Sequence, residues 1–275
     1  MTKNIAIQGF EGSFHQEAAR HFFGKQVLVI CCPSFRELIK QASTQKNCDG
    51  AVMAIENSIA GSILPNYTLL QKSNLVIVGE VYLQIKQQLL VNPGVQLEDI
   101  REVHSHPMAL LQCMDFLDEK NWKLIETEDT ALSAKLIHQH KSKHIAAVAG
   151  KLAADLYNLH ILAPNIHTQK NNYTRFLVLE TSANACTVED ANKASISFFT
   201  NHSRGSLAKV LGEIANAGIN LSKLQSMPIP GSDFQYSFHA DLEFEKLSQF
   251  QKAIKRIESL TEGIRIFGIY KNGKG

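Results

Sequence analysis

Long apolar runs are missing from this chain, and none approaches the roughly 20 residues that a membrane-crossing helix requires. A basic stripe is missing too, since 28 Lys and Arg stand against 26 Asp and Glu for a net charge of +2. Nucleic acid is therefore not an expected partner, because sequence-independent binding needs clustered cations to displace counterions. Cysteine is sparse: Cys31, Cys32, Cys48, Cys113 and Cys186 are odd in number and contain no CxxC pair. Adjacent Cys31 and Cys32 make a poor disulfide, so reduced thiols and a cytoplasmic location are expected. The start, Met1 to Gly9, lacks a long apolar signal core, and the mature chain is expected to begin there. His104-Ser105-His106 and His138-Gln139-His140 resemble ligand pairs, but neither has a companion at zinc-site spacing, and no metal is expected.

What is present is alternation. At 275 residues the chain can form two or three compact units. Short apolar strands are expected at Asn4–Ile7, Val27–Cys31, Ala51–Ile55 and Leu75–Leu83. Between them lie helices at His15–Phe23, Phe35–Gln41 and Leu64–Gln71, with Ser13 and Ser34 as caps of the first two. A second run places strands at Gln87–Val91, Glu102–His104 and Ile145–Ala149, with helices at Pro107–Leu117, Thr130–His138 and Lys151–Asn158. Arg175–Leu179 closes the module as a strand. Such alternation predicts an α/β fold with largely parallel strands.

The polar stretch around 181–193 reads as a linker. After it come strand Ala194–Thr200, helix Ser206–Ala217, strands Ile219–Pro228 and Tyr236–Phe244, helix Leu247–Leu260 and strand Ile264–Tyr270. Gly218 suits the helix end, and Pro230-Gly231 a turn. Tyr236, Phe238, Ala240, Leu242 and Phe244 alternate onto one face. The order βαββαβ is that of a ferredoxin-like plait.

Four collinear segments resemble the prephenate dehydratase family. They are Gln8-Gly9-Phe10-Glu11-Gly12-Ser13-Phe14, Ile55 to Ser62, His104 to Cys113, and Asn171-Asn172-Tyr173-Thr174-Arg175-Phe176. Phe10 stands where the family usually has proline, and His15 where serine is common. The tail Arg204–Pro228 is similar to the ACT domain fused to these enzymes. The resemblance implies a two-lobed, periplasmic-binding-protein-like (type II) catalytic domain over 1–180. One lobe takes about 1–80 and 165–180, the other about 81–164. A linker at 181–193 and an ACT domain at 194–275 would complete the chain.

The resemblance also implies a reaction. Prephenate, a cyclohexadiene with two carboxylates and a ring hydroxyl, would lose water and carbon dioxide to give phenylpyruvate in phenylalanine biosynthesis, with no cofactor. Arg175 suits a carboxylate through its bidentate fork, and a structural ion pair is its other reading. Asn57, Ser58 and Ser62, beside Glu56 and Gly61, sit where a strand gives way to a loop, as ligands at carboxyl strand ends require. The same residues also fit a plain turn. Thr174 has the family's catalytic position at the leaving hydroxyl. An alcohol is a weak acid, so Thr174 is expected to orient that hydroxyl, with Glu56 or His106 as proton source. His106 equally fits a cap before Pro107. Ser13, Phe14 and Phe176 are substrate-binding candidates, the two aromatics with core packing as the alternative. Thr174-Arg175 is expected to face Glu56–Ser58 across a cleft.

In the tail, Gly205, Ser206, Leu207, Asn220, Leu221 and Ser226 are the candidate contacts of an amino-acid effector, expected to be L-phenylalanine. Gln225-Ser226-Met227-Pro228 replaces a family segment that carries two charges, and an ACT unit kept for dimerisation is the other reading. A homodimer or homotetramer is implied. Arogenate dehydratase, a non-catalytic solute- or amino-acid-binding protein and an amino-acid-responsive regulator are the competing functions.

Overall fold

The computed structural model describes residues 2–44, 46–182, 190–201, 203–229 and 236–274. Most of the expected linker, the Pro230-Gly231 turn and Cys186 lie outside them. Contacts divide the chain into two units: Met1–Ser73 with Val81–Phe176, and Asn74–Glu80 with Leu177–Gly275.

The first unit holds most of two sheets; residues 75–80 and 177–181 of the first sheet belong to the second unit. The strands of the first are β1 (Asn4–Gln8), β2 (Leu28–Cys32), β3 (Gly50–Asn57), β4 (Gly61–Ser62), β5 (Leu75–Gln84) and, much later in the chain, β11 (Tyr173–Thr181). They lie in the order β2-β1-β3-β11-β5, with β4 hairpinned onto β3. The second sheet comprises β6 (Gln88–Val91), β7 (Glu102–Ser105), β8 (Lys123–Glu126), β9 (Ile145–Ala149) and β10 (His160–Ala163), in the order β10-β6-β9-β7-β8. β1 pairs in parallel with β2 and β3, as the alternation predicts. The second sheet is mixed, because β6 runs antiparallel to both β9 and β10. β8 and β10 were not anticipated. Each is four residues long with half-exposed apolar positions, too little for a periodic signal.

Helices α1 (Phe14–Phe23), α2 (Phe35–Thr44) and α3 (Leu64–Lys72) serve the first sheet; α4 (Pro107–Leu111), α5 (Met114–Leu117), α6 (Thr130–Gln139) and α7 (Lys151–Leu156) serve the second. The single helix expected over Pro107–Leu117 is broken at Gln112-Cys113. Instead of continuing the helical ladder, the Gln112 carbonyl accepts the Thr168 N–H at 2.8 Å. Cys113 is wholly buried beneath this break, and burial pushes its thiol up to about 12, an inert apolar filler.

The second unit contains β12 (Lys193–Phe199), α8 (Ser206–Asn216), β13 (Asn220–Pro228), β14 (Tyr236–Glu243), α9 (Leu247–Ile257) and β15 (Ile264–Tyr270). The sheet order β13-β14-β12-β15 is the ferredoxin-like plait that the sequence order implies. Its inner face buries Ala194, Ile196, Phe198, Ala240 and Leu242 against Val210, Ile214, Phe250 and Ile257 of the helices. The opposite face is polar and also buried: Lys193, Ser195, His239 and Asp241 all lie there. Lys193 Nζ meets Glu80 Oε1 at 3.0 Å and Oε2 at 3.2 Å, with both side chains at most 1% exposed. Gly268 lies so near this segment that a Cβ would fall 2.0 Å from the Ile77 carbonyl oxygen.

Removing one partner of a buried ion pair strands the other charge, which costs about 3–5 kcal/mol. Lys193→Met should therefore lower the urea-unfolding free energy by that amount. The double variant Lys193→Met/Glu80→Leu should recover part of the loss.

Candidate active site

A hollow of about 250 Å³ opens in the first unit, where the carboxyl ends of β1 and β3 meet the start of β11. Its lining includes Ser13, Phe14, His15, Asn57, His106, Asp129, Thr174 and Phe176. Larger hollows in the same unit, of 340 and 470 Å³, contain neither Thr174 nor Asn57.

The turn before α1 builds one wall. Ser13 caps this helix by accepting the Gln16 N–H at 3.4 Å, and Gln16 Oε1 accepts the Gly12 N–H at 2.7 Å, a reciprocal cap. Gly12 has φ +90°, and a Cβ there would meet the Ala153 backbone at 3.0 Å. The Phe14 ring in turn occupies the space beside Gly150, at the entry to α7. This turn thus joins the two sheets.

Asn57 holds the opposite wall. Its Oδ1 accepts the backbone N–H groups of Ile59 (3.0 Å) and Ala60 (2.9 Å), which fixes which way the amide faces. Nδ2 must then point at the start of β11, where its two hydrogens are shared among Asn172 Oδ1 at 2.7 Å, Thr174 Oγ1 at 3.0 Å and Tyr173 O at 3.2 Å. Because Thr174 receives a hydrogen bond from Asn57, its own O–H is left to donate elsewhere. Phe176, one alternation further along β11, lies in the same hollow and is 1% exposed.

Arg175 has the opposite parity. It is 4% exposed and absent from the lining, with its guanidinium carbon 6.0 Å from the Tyr82 ring centroid. A carboxylate-binding role in this hollow is therefore not what the strand geometry offers. Nor do Thr174 and Glu56–Ser58 face each other across a cleft. β3 and β11 are neighbours in one sheet, joined by Ser58 N to Tyr173 O at 2.8 Å. Ser58 Oγ staples the strand ends, accepting from Tyr173 N and donating to Asn171 O. Glu56 pairs with Ser62, and Asn57 with Gly61, in the β3–β4 hairpin. Glu56, Ser58, Gly61 and Ser62 shape the turn that places Asn57 and do not line the hollow.

His106, a candidate proton source, caps α4: its Nδ1 accepts the Met108 N–H at 3.2 Å. The cap reading and the lining position both hold. Two residues in the hollow escaped the sequence reading. His15 lies against the rings of Phe35 (5.5 Å) and Phe176 (5.0 Å), and its Nε2 accepts the Ala54 N–H at 3.4 Å. Burial lowers its pKa to about 4, so the ring is neutral at pH 7. Asp129 caps α6 through Oδ1 and Leu132 N at 2.9 Å. Its position before a helical run was the available signal.

Among the described residues no Lys or Arg lines the hollow. The ten-residue helices α1 and α6 both begin there, with caps Ser13 and Asp129, so their positive ends supply the field that favours an anion. Among the described residues no cluster of three or more His, Cys, Asp or Glu could hold a metal ion, and no helix is long and apolar enough to cross a membrane.

A family model described as prephenate dehydratase matches residues 5–184. The chain belongs to the prephenate dehydratase family. Membership places it among the carbon–oxygen hydro-lyases. An Arabidopsis thaliana relative named arogenate dehydratase/prephenate dehydratase 1, chloroplastic, is 36% identical over 97% of this chain and 71% of its own. A solved structure of GqqA, described as a novel type of quorum quenching acylase, superposes with TM-score 0.88 at 30% identity and covers 99% of both chains. A prephenate dehydratase from Arthrobacter aurescens, solved in complex with L-Phe, superposes with TM-score 0.86 at 24% identity over 98% of this chain and 90% of that one. The two-lobed fold with a C-terminal plait is thus common to this chain and the two solved structures.

In the C-terminal unit, Ser206 opens α8 beside a hollow of about 190 Å³ that also takes in Asn201, Ser203 and Thr261. Asn220 is remote from it, since it pairs with Glu243, which itself pairs with Lys193 at the far end of β12. Gly205–Leu207 and Asn220–Leu221 therefore sit at opposite ends of the sheet, roughly 20 Å apart at the usual rise per strand residue. Ser226, paired with Phe238, is on the Gly205 side.

Two outcomes follow from the hollow. Asn57→Asp places an acceptor where a donor stood, so Thr174 turns its proton to the new carboxylate; turnover should fall at least ~100-fold, as for loss of a preorganised donor. His15, with a folded pKa below its unfolded one, contributes stability that is complete above about pH 6.5 and lost as pH falls toward 4. Thermal unfolding between pH 7 and 4 should show a smaller decline for His15→Phe than for the wild type.

Proposed function

We propose that this chain converts prephenate to phenylpyruvate, water and carbon dioxide in the hollow of the first unit. The observation that supports this reading is the Asn57-to-Thr174 hydrogen bond, which leaves a hydroxyl proton free beside aromatic walls. Thr174 donates that proton as a hydrogen bond to the departing ring hydroxyl, weakening the carbon–oxygen bond. Phe14 and Phe176 stack along the ring that becomes aromatic. The helix ends of α1 and α6 counter the two carboxylates of the substrate.

An acylase reading, suggested by the likeness to GqqA, is less well supported. Acyl transfer needs a nucleophile activated by an adjacent base. Ser13 is engaged as a helix cap, Thr174 accepts from an amide, and among the described contacts no histidine nitrogen bonds to either hydroxyl. Arogenate dehydration remains the runner-up, because its substrate differs only where a keto group becomes an amine.

The C-terminal unit is read as an ACT domain that senses L-phenylalanine. This rests on the sequence resemblance of Arg204–Pro228, and the L-Phe complex of the Arthrobacter aurescens enzyme names the ligand class. Since Gly205–Leu207 and Asn220 lie at opposite ends of one sheet, a ligand touching both would bridge two copies. A homodimer or homotetramer is the assembly that reading calls for.

The wild-type protein, given prephenate and arogenate separately, should form phenylpyruvate faster than phenylalanine. Thr174→Val, which keeps the shape and removes the hydroxyl, should lose at least ~100-fold in kcat with KM nearly unchanged. No phenylpyruvate from the wild type would reject the assignment.

A further inference from the structure

We infer that Asp129 is the catalytic acid of the hollow, giving its proton to the ring hydroxyl as the carbon–oxygen bond breaks. The inference rests on the proposed dehydration.

Dehydration with decarboxylation takes up one proton. The dianion plus H⁺ becomes the phenylpyruvate anion, carbon dioxide and water. The carbon–oxygen pair leaves with the hydroxyl, which takes Asp129's proton. The pair freed from the carbon–carboxylate bond enters the ring, and solvent reprotonates the carboxylate. Some group at the hollow must therefore hold a removable proton at neutral pH. The lining offers few. His15 binds only the Ala54 N–H through Nε2 and is neutral far above its pKa of about 4. His106 commits Nδ1 as an acceptor from Met108, a cap that the imidazolium form would break. Thr174 is a weak acid. Glu56 is outside the lining.

Among the described residues Asp129 is the one carboxyl of the lining. One oxygen is spent: Oδ1 accepts from Leu132 N. The other, Oδ2, lies over the Gly9 turn, 2.6 Å from where a Cβ would stand, so only glycine admits it. An ionised carboxylate at the mouth of a site without Lys or Arg would repel a dianion. A protonated one donates to it, and substrate entry itself favours the protonated form. Burial already holds this carboxyl above its usual range, against the lowering pull of the Leu132 and Ala131 N–H groups and His106, and Glu128 adds to the rise. Cys31, Tyr157, Glu11 and Lys135 are the further ionisable groups around it.

The test measures kcat and KM for phenylpyruvate formation from pH 5 to 9. The variants are Asp129→Asn, which keeps volume and cap acceptor but not the acid, and Asp129→Glu, which keeps the acid. The expected result is a kcat loss of at least ~100-fold in the Asn variant, the scale of general acid catalysis, with KM within threefold. The alkaline limb of the wild-type profile should vanish in the Asn variant and return, displaced, in the Glu variant. An Asn variant with more than a third of wild-type kcat, or with the alkaline limb intact, overturns the role of Asp129 alone. A wild type that forms no phenylpyruvate overturns the function and this inference together. Circular dichroism and Tm establish that each variant is folded; should Asp129→Asn fail to fold, the displaced limb in Asp129→Glu decides, and its absence overturns the inference.

Discussion

The hydrogen bond from Asn57 to Thr174 sets the character of the site. Two backbone N–H groups hold one side of the Asn57 amide, and three acceptors on Asn172 and the start of β11 share the two hydrogens of the other. The amide therefore cannot turn over, and the Thr174 oxygen is always a recipient. Its hydrogen is then directed by exclusion into the hollow. That arrangement depends on β11, which returns from the second sheet to pair beside β3, and on the β3–β4 hairpin that turns at Asn57. The orientation of the Thr174 hydroxyl is thus a property of strand order.

A second constraint is charge. The substrate of the proposed reaction carries two negative charges, yet the lining holds no Lys or Arg. Helix starts provide a diffuse positive field in place of a point cation. For a reaction that must expel a carboxylate as carbon dioxide, this is the better choice. A guanidinium fork would stabilise the ground-state carboxylate and resist its loss. The exile of Arg175 to the opposite face of β11 follows the same logic, whatever packing it serves there.

Much of this was legible in the sequence. The alternating strands and helices, the βαββαβ tail, the Ser13 cap and the placement of Asn57 at a carboxyl strand end were read from periodicity and turn chemistry. The departures have physical causes. The bidentate fork of Arg175 suits a carboxylate, but its neighbour Thr174 enters the hollow and adjacent residues on a strand point to opposite faces. The Pro107–Leu117 helix broke because a distant backbone N–H, that of Thr168, captured the Gln112 carbonyl. His15 and Asp129 carry no joint signal in the sequence because only the fold brings their helix starts to one hollow. The polar outer face of the C-terminal sheet gave no hint of burial, since Ser195, His239 and Asp241 look like solvated strand positions until their partners are known.

Where a ligand binds relative to Thr174 decides whether the hollow is the site of reaction. A crystal structure of the protein soaked with phenylpyruvate measures this directly. The expected result is a product ring between Phe14 and Phe176, with a ligand oxygen about 2.7–2.8 Å from Thr174 Oγ1, the usual O–H···O separation. Phenylpyruvate bound elsewhere in the molecule, with the hollow beside Asn57 and Thr174 empty, would contradict it.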